Sequence, residues 1–313
     1  MTSANDKYER FVSLACVTYS TVWGDKTANM QKMKRFIEQA ADQENDIVVF
    51  PELALTGYQC SEEFGPAGCL MHRELAETIP GPATEEIAAI AKKRNIYVVF
   101  GMPEREREEN SLLYISAPII GPDGFVGNYR KVHLMDAAPA AESKCFTPGD
   151  HFPVFETKLG IIGIQICLDF WTFPEGCRIL TMKGAEIILN PTASLSGPGK
   201  EEFMVHMTCA RGVENMVYAA SANLTGKERT LSCYGHSTIA GRGWKINEIF
   251  ATGGPEEGIV SATLNMAALR KQKSKRRFDA KTCRVDVLLK ELQEIERAGL
   301  KEETLPPLRV AVK

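Results

Sequence analysis

The chain is 313 residues long, 44% hydrophobic and 25% charged, with a formal charge of −3 at pH 7. That composition supports a packed globular core, offers no global field for nucleic acid or an anionic membrane, and contains no run near the roughly 18 apolar residues a membrane helix needs. Nine cysteines, an odd number at irregular spacings with no secretory signal, argue against a disulfide framework and for a reducing compartment, the cytoplasm by default.

Residues 11–19 read as a short apolar strand, and residues 26–43 as a helix with Met30, Met33, Ile37, Ala40 and Ala41 at helical spacing. A second buried strand over 46–50 ends in Pro51-Glu52, which puts a carboxylate at its exit. Residues 73–94 read as a helix with Leu75, Ile79, Ile87, Ile90 and Ala91 on its apolar side, broken at Pro80-Gly81-Pro82 and followed by a strand over 96–101. Residues 112–120 and 125–130 flank Gly121-Pro122-Asp123-Gly124, a hairpin signal, and the second strand delivers Lys131. A strand at Val154-Phe155 follows.

The run Ile161-Ile162-Gly163-Ile164-Gln165-Ile166 is long and apolar enough for a strand buried on both faces, and it stops at Cys167, with a helix over 174–183 behind it. A strand over 185–190 ends in Asn190. The helix over 200–216 is expected to bury Phe203, Met207, Ala210, Val213 and Val217; a strand over 218–223 follows, and a hairpin-like pair around Ile239 and Ile259 closes a domain spanning 1–265. Residues 266–313 form an extension with a basic run, Arg270 to Arg277, read as a solvated connector, and an amphipathic helix over 285–298. Strands alternating with helices imply parallel pairing while the hairpins require antiparallel pairing, so the class is α/β with mixed sheets.

Three groups therefore stand at strand exits: the acid Glu52, the amine Lys131 and the thiol Cys167. A free thiol is only a few per cent ionised at neutral pH, so a catalytic cysteine needs a base or a positive charge beside it. Glu52 can take the thiol proton and pass it to a leaving amine, and Lys131 can stabilise a developing oxyanion. The chemistry that fits is acyl transfer to a thiol, then hydrolysis. No Cys-x2-Cys or His-x3-His pair suggests zinc, Gly235-His236-Ser237-Thr238-Ile239 lacks the final glycine of a nucleophile elbow, and Gly197-Pro198-Gly199-Lys200-Glu201 lacks the spacing of a phosphate loop. Arg211 and Glu214 read as an ion pair near the core. Cys60, Cys69, Cys145, Cys177, Cys209 and Cys233 read as packing or incidental thiols.

With their surroundings these residues resemble the carbon–nitrogen hydrolase, or nitrilase, superfamily. The likeness covers roughly residues 10–265. It rests on Phe50-Pro51-Glu52 with Thr56-Gly57-Tyr58, on Tyr129-Arg130-Lys131-Val132-His133-Leu134, on Gly163 through Cys167 with Asp169 and Phe173-Pro174-Glu175, on Gly184-Ala185-Glu186, and on Arg211-Gly212-Val213-Glu214-Asn215. The resemblance implies a four-layer α-β-β-α sandwich with two mixed sheets, no metal or organic cofactor, Glu52 as general base, Lys131 as oxyanion stabiliser and Cys167 as nucleophile. It also implies that Glu142, four residues before Phe146-Thr147-Pro148-Gly149-Asp150, orients substrate and lysine. The backbone N–H of Leu168 is the second oxyanion donor by the same likeness. Homodimers or tetramers are implied, with the extension strapped across an interface.

The chain departs from the family in having one extra residue between the nucleophile and the Phe-Pro-Glu motif, and Leu168 where a bulkier or polar side chain is usual. Phe170, Trp171, Asn190 and Thr192 are expected, with Leu168, to shape the substrate pocket. No arginine directly follows the nucleophile, which favours a neutral or amine-bearing substrate; Arg178 and Lys200 read as surface charges on helices. The expected reaction is cleavage of a small amide or N-carbamoyl amine with release of ammonia. A nitrilase acting on a C≡N bond, a glutaminase feeding a separate synthetase, and a non-catalytic binding homologue are the alternatives.

Overall fold

Short β-branched runs flanked by helices do form parallel pairs. In the computed structural model, which describes residues 8–60, 67–107, 112–136, 140–243, 245–275 and 278–298, strands β1 (Phe11–Thr18), β2 (Ile47–Val49) and β3 (Tyr97–Val99) lie parallel side by side. Strand β4 (Met102–Arg105) and the hairpin β5 (Leu113–Gly121) and β6 (Gly124–Arg130) extend this sheet antiparallel. A second sheet has the same plan. Its strands are β7 (Val154–Thr157), β8 (Gly160–Ile164), β9 (Ile187–Thr192), β10 (Tyr218–Asn223), β13 (Thr238–Gly241) and β14 (Glu248–Thr252), with β8, β9 and β10 parallel. A small hairpin, β11 (Thr225–Glu228) and β12 (Leu231–Tyr234), stands apart from both. Strand β15 (Gly258–Asn265) returns to the first sheet and pairs along all of β1.

The sheets meet where Tyr19 bridges to Leu224, and helices cover their outer faces. Helix α1 (Lys26–Asp42) starts where the Asp25 side chain accepts the Ala28 N–H, and it buries Met30, Met33, Ile37 and Ala40. Helix α3 (Pro82–Arg94) begins with proline in its first turn and ends at Asn95 in the left-handed region. Helices α5 (Pro174–Met182) and α6 (Lys200–Asn215) cover the second sheet. The core strands are apolar on both faces; fully burying one Val, Leu or Ile side chain contributes roughly 1.5–3 kcal/mol.

Several expectations change. The helix expected over 73–94 is two: α2 (Ala67–Leu75) starts earlier, and a segment holding Ile79 and a cis Ile79–Pro80 bond separates it from α3. Ile239 and Ile259 do not pair with each other, because β13 joins β10 while β15 joins β1. Helix α6 buries Met204, Thr208, Arg211 and Asn215; of the expected stripe Val217, just past its end, is fully buried, Phe203, Met207 and Val213 are half-buried, and Ala210 is exposed. Cys69 and Cys145, read as unpaired thiols, form a disulfide. Their separation of 76 residues hides a pairing that only the fold creates. The other seven cysteines are free.

The first of two compact units runs through Ser274 and so includes helix α7 (Met266–Lys273); the second starts at Lys275. In the second, helix α8 (Val285–Ala298) has the bounds expected from its periodicity. Residues 137–139 of the loop before Glu142, Arg276 and Arg277 of the basic run, and residues 299–313 of the extension lie outside the described residues. No described helix is long and apolar enough to cross a membrane.

Candidate active site

The nucleophile turn is built by β8 and β9. Strand β8 ends at Ile164, but backbone bonds to β9 continue through Gln165 N–H to Leu189 O and Cys167 N–H to Pro191 O. The Cys167 N–H also donates to Asn190 Oδ1 at 2.9 Å. Held this way, Cys167 adopts φ +50°, ψ −105°, a conformation that costs a non-glycine residue about 1–3 kcal/mol and persists only where surroundings enforce it. A one-turn helix, α4 by position between β8 and α5 (Leu168–Trp171), starts at once. Its last carbonyls are satisfied by Arg211, which donates through Nε to Phe170 O at 2.8 Å and through Nη2 to Trp171 O at 3.1 Å. Arg211 also pairs with Glu214, as expected.

Asp169 ties this turn to the lysine strand. Its carboxylate accepts from Tyr129 Oη (2.6 Å), Val132 N–H (3.2 Å), His133 N–H (2.7 Å) and His133 Nδ1 (2.7 Å), so the residues flanking Lys131 hang on the nucleophile's own helix. Two glycines allow the close approaches this needs. A Cβ on Gly101 would lie 2.3–2.6 Å from Leu53 N, Pro51 O and Glu52 Cα, and one on Gly149 would lie 2.4 Å from Arg130 O.

The side chains of Glu52, Lys131 and Glu142 are fully buried and touch. Lys131 Nζ donates to Glu52 Oε1 at 2.7 Å and to Glu142 Oε1 and Oε2 at 2.8 and 2.7 Å. Glu52 Oε2 accepts the Ala193 N–H at 3.1 Å, and the Glu52 charge acts on the nearby Cys167 thiol. Glu142 also accepts from Tyr58 Oη at 2.7 Å and Met135 N–H at 3.0 Å. Tyr58 and Gln59 are in turn fixed by Glu228 of the small hairpin, which accepts both backbone N–H groups.

Two acids facing one ammonium, all dry, set the electrostatics. Burial pushes the Glu52 carboxyl up, and the Lys131 ammonium only partly offsets this, leaving it at about 7. Burial and then Glu52 push the Cys167 thiol up to about 12, so the resting sulfur is protonated at neutral pH. Burial pulls Lys131 down, but Glu142 and Glu52 outweigh it and hold the amine well above its ordinary value, hence charged.

A cavity of about 220 Å³ adjoins this cluster; Cys167, Glu142 and Tyr58 form part of its wall, and Glu52 and Lys131 lie behind it. Of the residues expected to shape it, Leu168 and Trp171 line it. Phe170, Asn190 and Thr192 do not; all three are fully buried behind the wall. Phe170 packs edge-on against Trp171, Asn190 holds the Cys167 N–H, and Thr192 accepts from Trp171 Nε1 at 3.1 Å. They missed the pocket because residues alternate across a strand, and the short helix turns Phe170 toward the core. Lys200, read as surface charge, lines the cavity with Phe203, Met135 and Leu195. Tyr58 and Asp169 stood inside quoted motifs without an assigned part. Glu228 carried no sequence signal. Among the described residues no three His, Cys, Asp or Glu side chains gather as a metal-binding group.

A family model for the carbon–nitrogen hydrolases matches residues 13–274. The chain is 33% identical over 254 residues to the omega-amidase of Homo sapiens, covering 78% of this chain and 85% of that one. It is 35% identical over 240 residues to a nitrilase of Pyrococcus abyssi, covering 75% and 84%. In structure it resembles Saccharomyces cerevisiae Nit3, a member of branch 10 of the nitrilase superfamily, with TM-score 0.74 and 25% identity over 86% of this chain and 96% of that one. An amidase from Nesterenkonia, at 24% identity and TM-score 0.69, covering 87% of this chain and 95% of that one, shares the fold. The chain belongs to the carbon–nitrogen hydrolase family, and it has the nitrilase-type fold of two mixed sheets between helices. Its class is therefore that of enzymes that hydrolyse carbon–nitrogen bonds.

Proposed function

We propose that the protein is a cysteine-dependent amidase that cleaves a small amide or N-carbamoyl amine through a thioester intermediate. The observation that carries this is the buried Lys131 ammonium held between Glu52 and Glu142, with the Cys167 thiol on the wall of the adjoining cavity and near enough to Glu52 for that charge to raise it. Cys167 Sγ attacks the amide carbon while its proton passes to Glu52. Because the thiol is protonated at rest and Glu52 sits near 7, transfer and attack occur together rather than from a standing thiolate. Charge builds on the former carbonyl oxygen. Lys131, whose two contacts to Glu142 can share one proton, turns another toward it, and Leu168 N–H at the start of the short helix is the second donor; one such donor contributes typically about 3–4 kcal/mol. Glu52 then protonates the leaving nitrogen, the C–N bond breaks and ammonia departs. Water, deprotonated by Glu52, attacks the thioester, the C–S bond breaks, and the proton returns to Cys167.

Glu142 positions Lys131 and takes no proton in this scheme. The reading includes self-association into a dimer or tetramer, supported by Val285, Leu288, Leu292 and Ile295 falling on one side of α8. The test of the reaction is ammonia release from a panel of simple amides, ureido compounds and nitriles. Release from amides or ureido compounds is expected. Release from nitriles alone would replace the amidase by a nitrilase, and no release from any of the three classes would point to a binding protein.

A further inference from the structure

The hairpin of β11 and β12 belongs to neither large sheet, and among the described residues lining the cavity none comes from it. It is nevertheless bonded to both segments that hold the buried acids. On one side Glu228, the last residue of β11, accepts the Tyr58 N–H at 2.8 Å and the Gln59 N–H at 2.7 Å through Oε2, and the Thr21 hydroxyl through Oε1. The chain makes room for this carboxylate: Gly57 sits at φ +97°, and a Cβ there would lie 2.8 Å from Glu228 Oε1. The Gln59 side chain closes the same seam, donating to Thr230 Oγ1 at 2.6 Å and accepting the Thr230 N–H at 3.1 Å. On the other side Leu195 bridges to Cys233, Ser196 N–H donates to Ser232 O at 2.7 Å, and Tyr234 Oη donates to Ser194 Oγ at 3.1 Å, next to the Ala193 N–H that Glu52 accepts.

We infer that Glu228 is a positioning residue for the amide chemistry, setting through the Tyr58 side chain where the Glu142 carboxylate, and with it the Lys131 ammonium, stands. This rests on the amidase reading above and adds to it a residue that touches no reacting atom. Two consecutive backbone N–H groups aimed at one carboxylate make charge-assisted bonds, roughly twice as strong as neutral ones, so the turn at Tyr58 has little freedom. Tyr58 Oη in turn donates to Glu142 Oε1 at 2.7 Å, the oxygen that also accepts from Lys131 Nζ. Released from Tyr58, the Glu142 carboxylate can rotate and draw Lys131 with it, and a misplacement of about 1 Å at an oxyanion donor can cost up to about 100-fold in rate. A hairpin tied down for stability alone would not need the acid, since Thr230 and Gln59 already join the same two segments.

The test is a double-mutant cycle on the full chain, read as ammonia release from propionamide, or from whichever panel compound wild type turns over fastest. Glu228→Gln keeps the shape and removes the charge. It is expected to lower kcat about 10-fold with KM within about twofold of wild type, and Tyr58→Phe to lower kcat at least as much. Because both act on one link, the double variant should fall no further than Tyr58→Phe alone. The pH profile separates positioning from mere stability. Burial raises Glu52 to about 7 against the pull of Lys131, and the Glu142 charge adds to the rise, so with Glu142 displaced the acid limb should move to lower pH by about 0.5. Should Glu228→Gln fail to fold, Glu228→Asp, which keeps the charge one methylene short of the turn, takes its place in the cycle. Effects that multiply in the double variant, an unmoved limb, or Tyr58→Phe with kcat within about twofold of wild type each overturn the inference and leave the amidase standing. Wild type that releases ammonia from no panel compound overturns both.

Discussion

Replacing Glu52 by Gln keeps the shape of the side chain and removes its basicity. Lys131 retains both contacts to Glu142, so the variant should fold and keep its ammonium buried. A positioned general base is typically worth about 10²–10⁴ in rate, or roughly 3–5.5 kcal/mol of barrier, and kcat/KM should fall by that factor. The pH profile carries the sharper signature. Glu52 acts ionised and burial holds it at about 7, so wild-type kcat/KM should climb with pH up to about 7 and level off above. The variant should lack that limb. Stability shifts in the same window: between the ordinary carboxyl value of 4.5 and about 7 the folded state holds a proton the unfolded chain has lost, so this contribution to stability fades as pH rises, and Gln removes the dependence. Steady-state ammonia release across pH, with thermal melts beside it, measures both effects. Activity within about threefold of wild type, or a limb that survives the substitution, would refute the assignment.

Asp169→Asn exchanges an oxygen that accepts two or more protons for an amide that must donate, so it should cost about 2–4 kcal/mol in urea titration and lower kcat/KM at least about tenfold by loosening the Lys131 segment. Unchanged stability would mean the clamp is slack. Gly101→Ala puts a methyl group against the backbone carrying Glu52 and should cost at least about 3 kcal/mol, read from the same titration; a variant as stable as wild type would show that the two segments can part. Light scattering at micromolar concentration should give the mass of a dimer or tetramer, and a monomeric mass would remove self-association from the account.

What could be read from sequence was the set of strand exits. Glu52 and Cys167 each follow an apolar buried strand and Lys131 follows the second strand of a hairpin, and exits of strands that run the same way gather at one edge, so their convergence follows from topology. Helices α1 and α8 were legible because their apolar positions repeat cleanly. Helix α6 was not, because its buried stripe carries Thr208, Arg211 and Asn215, polar residues inward for a reason visible only in three dimensions: Arg211 caps the short helix after Cys167. Its apolar side is half-covered because Phe203 faces the cavity. The pairing of Ile239 and Ile259 failed because neighbouring strands in sequence were sorted into different sheets, and the Cys69–Cys145 bridge joins helix α2 to a loop 76 residues further on, a contact no local pattern encodes. Substrate contacts were the least legible. Asn190 and Thr192 sit on β9 and look pocket-facing by position, yet their side chains hold Cys167 and Trp171 from behind.

The central claim is that sulfur carries the acyl group between amide and water. Wild-type protein turning over propionamide should therefore be quenched rapidly in acid, digested and mapped by mass spectrometry. One propionyl group on Cys167, on none of the other cysteines, and removed by hydroxylamine is the predicted result. Steady ammonia release with Cys167 unmodified, or undiminished turnover by Cys167→Ala, would contradict it.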